Sequence, residues 1–515
     1  MVRYVHVSFL IAVFCTAAGV GCGDDGEKRE DHVFPDGFYW GTATAGFQVE
    51  TGCPTVDESE CMDTGSDWYV WVTEPEIIGD PGAYVAGDSL SGGPGHYELY
   101  AHDFDLAKNE LNNNAYRMSL EWSRLFPEPT DGLSTVEEMA SAADPVAVLH
   151  YHDVLDALRQ RSITPLVTIH HYTLPTWIHD ALGCYQDLAT CSPAGWLDRE
   201  RITTEFAKYA AFAASEFGEK VDMWATLNEP YAVVLAGFLM PSEDRTNPPG
   251  VNMEFEAAKT AVLSMIEAHA LAYEAIHEND IWDADGDGRP ARVGVVYNIV
   301  ATAPMNPASE LDVEAAENVD YLYNRVFLNA VTRGELDTDM DGSFEYRPDL
   351  DGRMDYIGVN YYTRITVEGV EWPVFPDLSP LSNFDPFTMS IWEDYPRGLY
   401  EVLVSAGEYG YPLIVTECGT PNVSDDEAGP GFLVRHLIWL SRAIREGVNV
   451  EGFFYWSLMD NYEWNHGMSM KFGLYAVDPE DLVKERVLRK TGEIYGRIAG
   501  ENMIPPDLAE AYPEP

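Results

Sequence analysis

Eight short apolar runs constrain this 515-residue chain more than any other feature. They cover residues 39–44, 115–120, 164–170, 221–227, 292–298, 356–361, 411–417 and 452–457. Each is rich in β-branched or aromatic residues, as strands are. Amphipathic stretches at helical spacing lie between them, over 97–111, 147–161, 199–217, 254–278, 313–333 and 431–446. Eight β-then-α units with no break in composition predict a single α/β domain, a (β/α)8 TIM barrel with long βα loops. A doubly wound open sheet is the competing fold. No Gly-rich nucleotide fingerprint follows the first run, which argues against it.

The fourth run ends in WATLNEP, with Asn228 and Glu229 left at the strand tip before Pro230. Proline lacks an N–H and fixes φ, so the strand stops there. In a parallel barrel the C-terminal strand ends carry the chemistry. A carboxyl group beside an amide suits general acid/base work on a hydroxylated substrate. The seventh run, YPLIVTE, brings a second carboxyl group, Glu417, to its own tip. Other polar or aromatic side chains recur in or just past the runs: Gln48, Arg117, His171, Asn360, Tyr362, Trp456, and Glu463 with Trp464 in the last loop. Any one of these could merely satisfy nearby backbone. A barrel gathers all of them around one pocket.

Charge and cysteines bound the environment. The 31 Lys and Arg against 86 Asp and Glu give a net charge of −55, which argues against nucleic acid as a partner. Arg3 and the small apolar run before Cys22 read as an export leader (1–21) of lipoprotein type, with Cys22 the lipidated residue and an acidic linker over 22–32. The catalytic barrel then spans 33–505 and a C-terminal tail 506–515. This predicts a cell-envelope lipoprotein anchored through Cys22, or a released protein if cleavage falls elsewhere. Cys53 with Cys61, and Cys184 with Cys191, bracket short polar loops and read as two local disulfides. Two Asp-x-Asp-x-Asp-Gly loops, at Asp283, Asp285, Asp287 and at Asp337, Asp339, Asp341, suit structural Ca²⁺. Neither has the acidic residue expected at loop position twelve, and a solvated turn is the competing account.

The motifs FYWGTATAGFQVE, YRMSLEWSRLFPE, TIHHYTLPTW, WATLNEP, YIGVNYYTR, LIVTECG and YWSLMDNYEWNHGMSMKFGLYAVD occur in one order along the chain. In that order the sequence resembles the glycoside hydrolase family 1 retaining β-glycosidases, from about residue 38 to 498. The resemblance implies an exo-acting, cofactor-independent enzyme that hydrolyses terminal β-linked glucose, or galactose or fucose, from oligosaccharides or aryl or alkyl glycosides by double displacement through a covalent glycosyl-enzyme. It implies Glu229 as acid/base and Glu417 as nucleophile, with carboxyl groups about 5–5.5 Å apart. So close a pair pushes one pKa up, expected to keep the acid protonated near neutrality. Arg117 and Tyr362 match the positions that hold the nucleophile. Asn228, Asn360, Gln48, His171, Trp456, Glu463 and Trp464 match sugar-binding positions. A carboxylate at Glu463 suits a neutral sugar and opposes a 6-phosphate.

The sequence departs from the family at Cys418, where Asn usually follows the nucleophile; a thiol there is either an oxidation-sensitive spot or a tolerated neighbour. His170 and Tyr172 also replace commoner neighbours of His171. A carbohydrate-binding surface lipoprotein that kept the fold without turnover is the alternative from another class; it would lack one of the two carboxylates.

Overall fold

The computed structural model describes residues 32–386, 389 and 393–513. The leader, the proposed lipidation at Cys22 and the linker up to residue 31 lie outside the described residues. Among the described residues no helix is long and apolar enough to cross a membrane.

The eight runs form the barrel: β1 (Tyr39–Ala43), β2 (Ala115–Ser119), β3 (Thr164–His170), β4 (Met223–Asn228), β5 (Arg292–Asn298), β6 (Tyr356–Tyr361), β7 (Leu413–Cys418) and β8 (Val450–Trp456). They pair in parallel, each with the next, and β8 closes on β1. Nearly every strand residue is buried. Burial on both faces makes such strands continuous apolar runs, which is why they stand out in the sequence.

The outer layer comprises α1 (His96–Asn109), α2 (Pro145–Gln160), α3 (Arg199–Phe217), α4 (Phe255–Asn279), α5 (Glu310–Val319, continuing through a π turn, Asp320–Arg325, into Val326–Arg333), α6 (Pro396–Gly407), α7 (Ala428–Arg445) and α8 (Lys490–Glu501). α2 illustrates the local logic. The Asp144 carboxylate accepts from the Val146 and Ala147 amides, Pro145 occupies the first helical position, and Ala147, Tyr151, Val154, Leu155 and Leu158 form the buried stripe. Replacing Asp144 by Ala removes that cap, which costs ~1 kcal/mol. The stretch predicted as a tail contains a short helix, Pro506–Ala511, that buries Leu508.

Two irregularities aim the site. The β4–β5 register shifts between Ala225 and Asn228, and β7 shifts against β6 between Val415 and Glu417. Bulges re-aim side chains at barrel rims, and here one lies directly beneath each candidate carboxylate. Gly419, just past β7, is obligatory in this packing: a Cβ there would lie 2.0 Å from the Trp456 carbonyl oxygen. Both expected disulfides are present, Cys53–Cys61 and Cys184–Cys191.

Candidate active site

Glu229 follows β4 with φ 48°, in the left-handed region, and caps a short helix that starts at Pro230. Its amide donates to the Val296 carbonyl of β5, which fixes the turn. Tyr172 and Trp464 also have positive φ, at 74° and 49°. Such backbone costs roughly 1–3 kcal/mol per non-glycine residue and clusters at functional sites.

The two carboxylates are joined by one network. Arg117, fully buried, donates through Nη1 to Glu417 Oε1, through Nη2 to Asn228 Oδ1 (2.7 Å) and through Nε to Thr168 Oγ1 (3.0 Å). Tyr362 Oη donates to Glu417 Oε2 at 2.6 Å. Asn360 Nδ2 donates to Glu229 Oε1 at 2.6 Å and to Asn228 Oδ1 at 3.2 Å. The Thr416 hydroxyl sets that orientation by donating to Asn360 Oδ1 at 2.8 Å. On its other oxygen Glu229 accepts from the Tyr172 hydroxyl, and Asn298 Nδ2 reaches Oε1 at 3.4 Å.

Gln48 Nε2 donates to Glu463 Oε2 at 3.0 Å, and Arg245 Nη2 holds Glu463 Oε1 at 2.8 Å. His171 lies nearly parallel to Trp456 and Trp464, with ring centroids 5.9 and 6.0 Å away. Asn228 Nδ2 donates to its Nε2 at 3.2 Å. Burial, helped by the Arg117 guanidinium, depresses the His171 pKa and keeps the ring neutral. Gln48 Oε1, His171 Nδ1 and Arg245 Nη1 are buried with no partner among the described residues. The catalytic and sugar-binding residues expected from sequence therefore join one constellation.

Burial pushes Glu417 up to about 7; the Arg117 guanidinium pulls it down, the Glu229 charge pushes it up, and the Tyr362 hydroxyl pulls it down. The sequence expectation concerned the acid/base carboxyl and did not foresee this lift on the nucleophile. Desolvation, which sequence does not display, outweighs the guanidinium.

Sequence reasoning missed Arg245 and Asn298, and gave Tyr172 no contact with the acid/base. Asn298 is the last residue of β5, so the strand-tip rule could have found it. Arg245 lies in an irregular segment with no such signal. His170, beside His171, packs edge-on to Trp196 and Phe206 and is held down to about 3 by burial, a core aromatic in effect. Cys418 is fully buried between Tyr361 and Tyr455 of the neighbouring strands, and burial pushes its thiol up. A neutral, enclosed thiol resists oxidation, which favours the tolerated-neighbour account.

Of the acidic loops, Asp283 and Asp285 approach the buried Asp222, with carboxylate oxygens within 4.8 Å of one another. Asp287 instead accepts from the Arg289 amide. Asp337 accepts from the Asp341 and Gly342 amides and the Tyr321 hydroxyl, and Asp341 from the Ser343 amide, as turn residues do. Asp339 joins no metal-capable group among the described residues.

Two buried carboxylates at barrel strand ends, flanked by amides, guanidinium groups and indoles, define a glycoside hydrolase site. The chain belongs to glycosyl hydrolase family 1, whose family model matches residues 30–504. It is 38% identical to a β-galactosidase of Pyrococcus woesei, over 93% of this chain and 99% of the relative. The β-glycosidase of the hyperthermophile Thermosphaera aggregans superposes with a TM-score of 0.79 at 32% identity, covering 93% of this chain and 99% of that one. A hyperthermophilic β-glucosidase from Pyrococcus furiosus gives 0.79 and 32%, covering 93% and 98%. The protein is thus an O-glycosyl hydrolase, and the binding-only alternative has no support.

Proposed function

We propose that this retaining β-glycosidase releases terminal β-linked glucose or galactose, with Glu229 as acid/base and Glu417 as nucleophile. The observation that carries the reading is the network in which Arg117 and Tyr362 hold both oxygens of Glu417 while Asn360, Asn298 and Tyr172 hold Glu229. Ionised Glu417 attacks the anomeric carbon, the glycosidic C–O bond breaks, and the Glu229 proton passes to the leaving oxygen. Water then attacks the same carbon, Glu229 takes its proton, and Glu417 departs. Arg117 and Tyr362 fix the attack geometry, and Asn228, held by Arg117, faces the sugar 2-hydroxyl, a contact that strengthens in the transition state. The unpartnered atoms of Gln48, His171 and Arg245 supply the complement for further ring hydroxyls. Glu463, held by Gln48, supports a neutral sugar. The similarity to a β-galactosidase and to a β-glucosidase supports both galactose and glucose.

The test is covalent trapping with 2-deoxy-2-fluoro glycosides, followed by peptide mass analysis. A glycosyl adduct on Glu417 is expected, with turnover of 4-nitrophenyl β-glucoside and β-galactoside but not of the α-glucoside. An adduct elsewhere, or none with turnover intact, would refute the nucleophile assignment. Export and acylation at Cys22 belong to the same proposal on sequence grounds. Intact mass of membrane-extracted protein without added lipid would overturn the acylation.

A further inference from the structure

Glu121 is a wholly buried carboxyl that the mechanism above does not use. It follows β2, which lies between β1 and β3 in the barrel, and its two oxygens reach the loops after both neighbours. Oε1 accepts from the Phe47 amide at 3.1 Å and from the Ser119 hydroxyl at 3.1 Å. Ser119 Oγ in turn accepts from the Gly46 amide at 2.8 Å. Oε2 is hydrogen-bonded to the Thr173 hydroxyl at 2.7 Å. Each partner adjoins a residue of the sugar site. Gly46 and Phe47 open the single helical turn, Gly46–Val49, that carries Gln48, and Ala45 at its cap offers no side chain to their amides. The first amides of a helical turn lack partners within it, so Ser119 and Glu121 supply them from the next loop. The fit is close: a Cβ on Gly46 would lie 2.5 Å from Glu121 Oε1. Thr173 directly follows His171 and Tyr172.

Glu121 is itself held in place. Its amide donates to the Tyr151 hydroxyl at 3.0 Å, and Tyr151 Oη donates to Glu50 Oε1 at 3.3 Å. Glu50 pairs with Arg124 at 2.7 Å, and Arg124 donates to the carbonyls of Glu60 (3.2 Å) and Cys61 in the first disulfide loop. Burial pushes Glu121 up to about 8; Glu50 and Asp63 add to the lift, and the Thr173 hydroxyl and Arg124 oppose it. At pH 7 the group is therefore mainly the neutral acid, with one O–H and one oxygen free to accept. Glutamine reproduces that pattern with an N–H in place of the O–H.

We propose that Glu121 is a positioning residue for sugar recognition: by linking the Gln48 turn to the His171–Tyr172 turn, it sets the spacing of the side chains that meet the ring hydroxyls. Being wholly buried, it meets no substrate and acts only through those turns. The inference rests on the glycosidase reading above. Its test is steady-state kinetics of the full-length protein on 4-nitrophenyl β-glucoside, with the fold of each variant checked by circular dichroism. Glu121→Ala is expected to raise KM by about tenfold, the worth of one or two hydrogen bonds, and to lower kcat by less than about threefold. Glu121→Gln keeps both links and is expected to hold KM within about threefold of the parent. In the double variant Glu121→Ala with Gln48→Ala, the loss in kcat/KM should fall short of the product of the single losses by more than about threefold, because residues acting as one unit are not additive. Should Glu121→Ala fail to fold, Thr173→Val breaks the Oε2 link at nearly constant shape, and the same shortfall is expected when it is combined with Gln48→Ala. An unchanged KM in folded Glu121→Ala, equal losses in the alanine and glutamine variants, or losses that simply multiply would overturn the proposal alone. Absence of turnover by the parent on every β-glycoside would instead overturn the reading beneath it.

Discussion

Glu417→Gln separates the stability of this protein from its chemistry. The Glu417 side chain is almost wholly enclosed, and burial lifts its pKa from 4.5 to about 7. At ~1.4 kcal/mol per pKa unit, the lift corresponds to ~3 kcal/mol. The folded state holds this proton more tightly than the unfolded state. Its contribution to stability is fully present below about pH 4.5 and is lost as pH rises through about 7. Glutamine cannot titrate, so the variant lacks this slope. The substitution also leaves the buried Arg117 without its counter-charge, but that cost is a constant offset and cancels when one pH is compared with another. Urea unfolding of both proteins at pH 4.5, 6, 7 and 8 reads the effect. The stability of the variant minus that of the parent should grow by ~3 kcal/mol across the series, while the variant loses nearly all turnover. Parallel curves would refute the argument that desolvation outweighs the guanidinium at Glu417.

Four further outcomes are expected. With an activated 2,4-dinitrophenyl substrate, kcat/KM should fall below about pH 7 as Glu417 gains its proton, and Glu229→Gln should move that limb to lower pH, because the Glu229 charge raises Glu417. Tyr172→Phe removes a hydrogen bond to a charged group, worth ~1.5–3 kcal/mol. It should slow substrates with poor leaving groups by about ten- to a hundredfold, and activated ones far less, in steady-state kinetics. Arg245→Met should raise KM for glucosides by about tenfold with little change in kcat, by releasing Glu463 from its 2.8 Å ion pair. In protein from His32 onward, Cys418 should resist Ellman's reagent when folded and react as one thiol per chain in denaturant, since the other four cysteines are bridged.

Much of the fold was legible in the sequence because a strand covered on both faces must be apolar along its length. The eight runs therefore marked the barrel to within a residue or two, and strand-tip polarity marked Glu229 and Glu417. The same rule applied to β5 would have given Asn298. The contact of Tyr172 with Glu229 was not legible, because it depends on a left-handed turn after β3 that brings two loops together. Arg245 meets Glu463 across 218 residues of chain, and nothing near either residue announces the other.

The sequence by itself determined the barrel, the order of its units and the pair of carboxylates, because strand burial and chain termination at proline are local properties. Tertiary structure decided the rest. Two register shifts aimed the carboxylates, and burial lifted Glu417 against the pull of the Arg117 guanidinium. Desolvation and shape are sums over everything that surrounds a group, and those surroundings exist only once the chain has closed on itself.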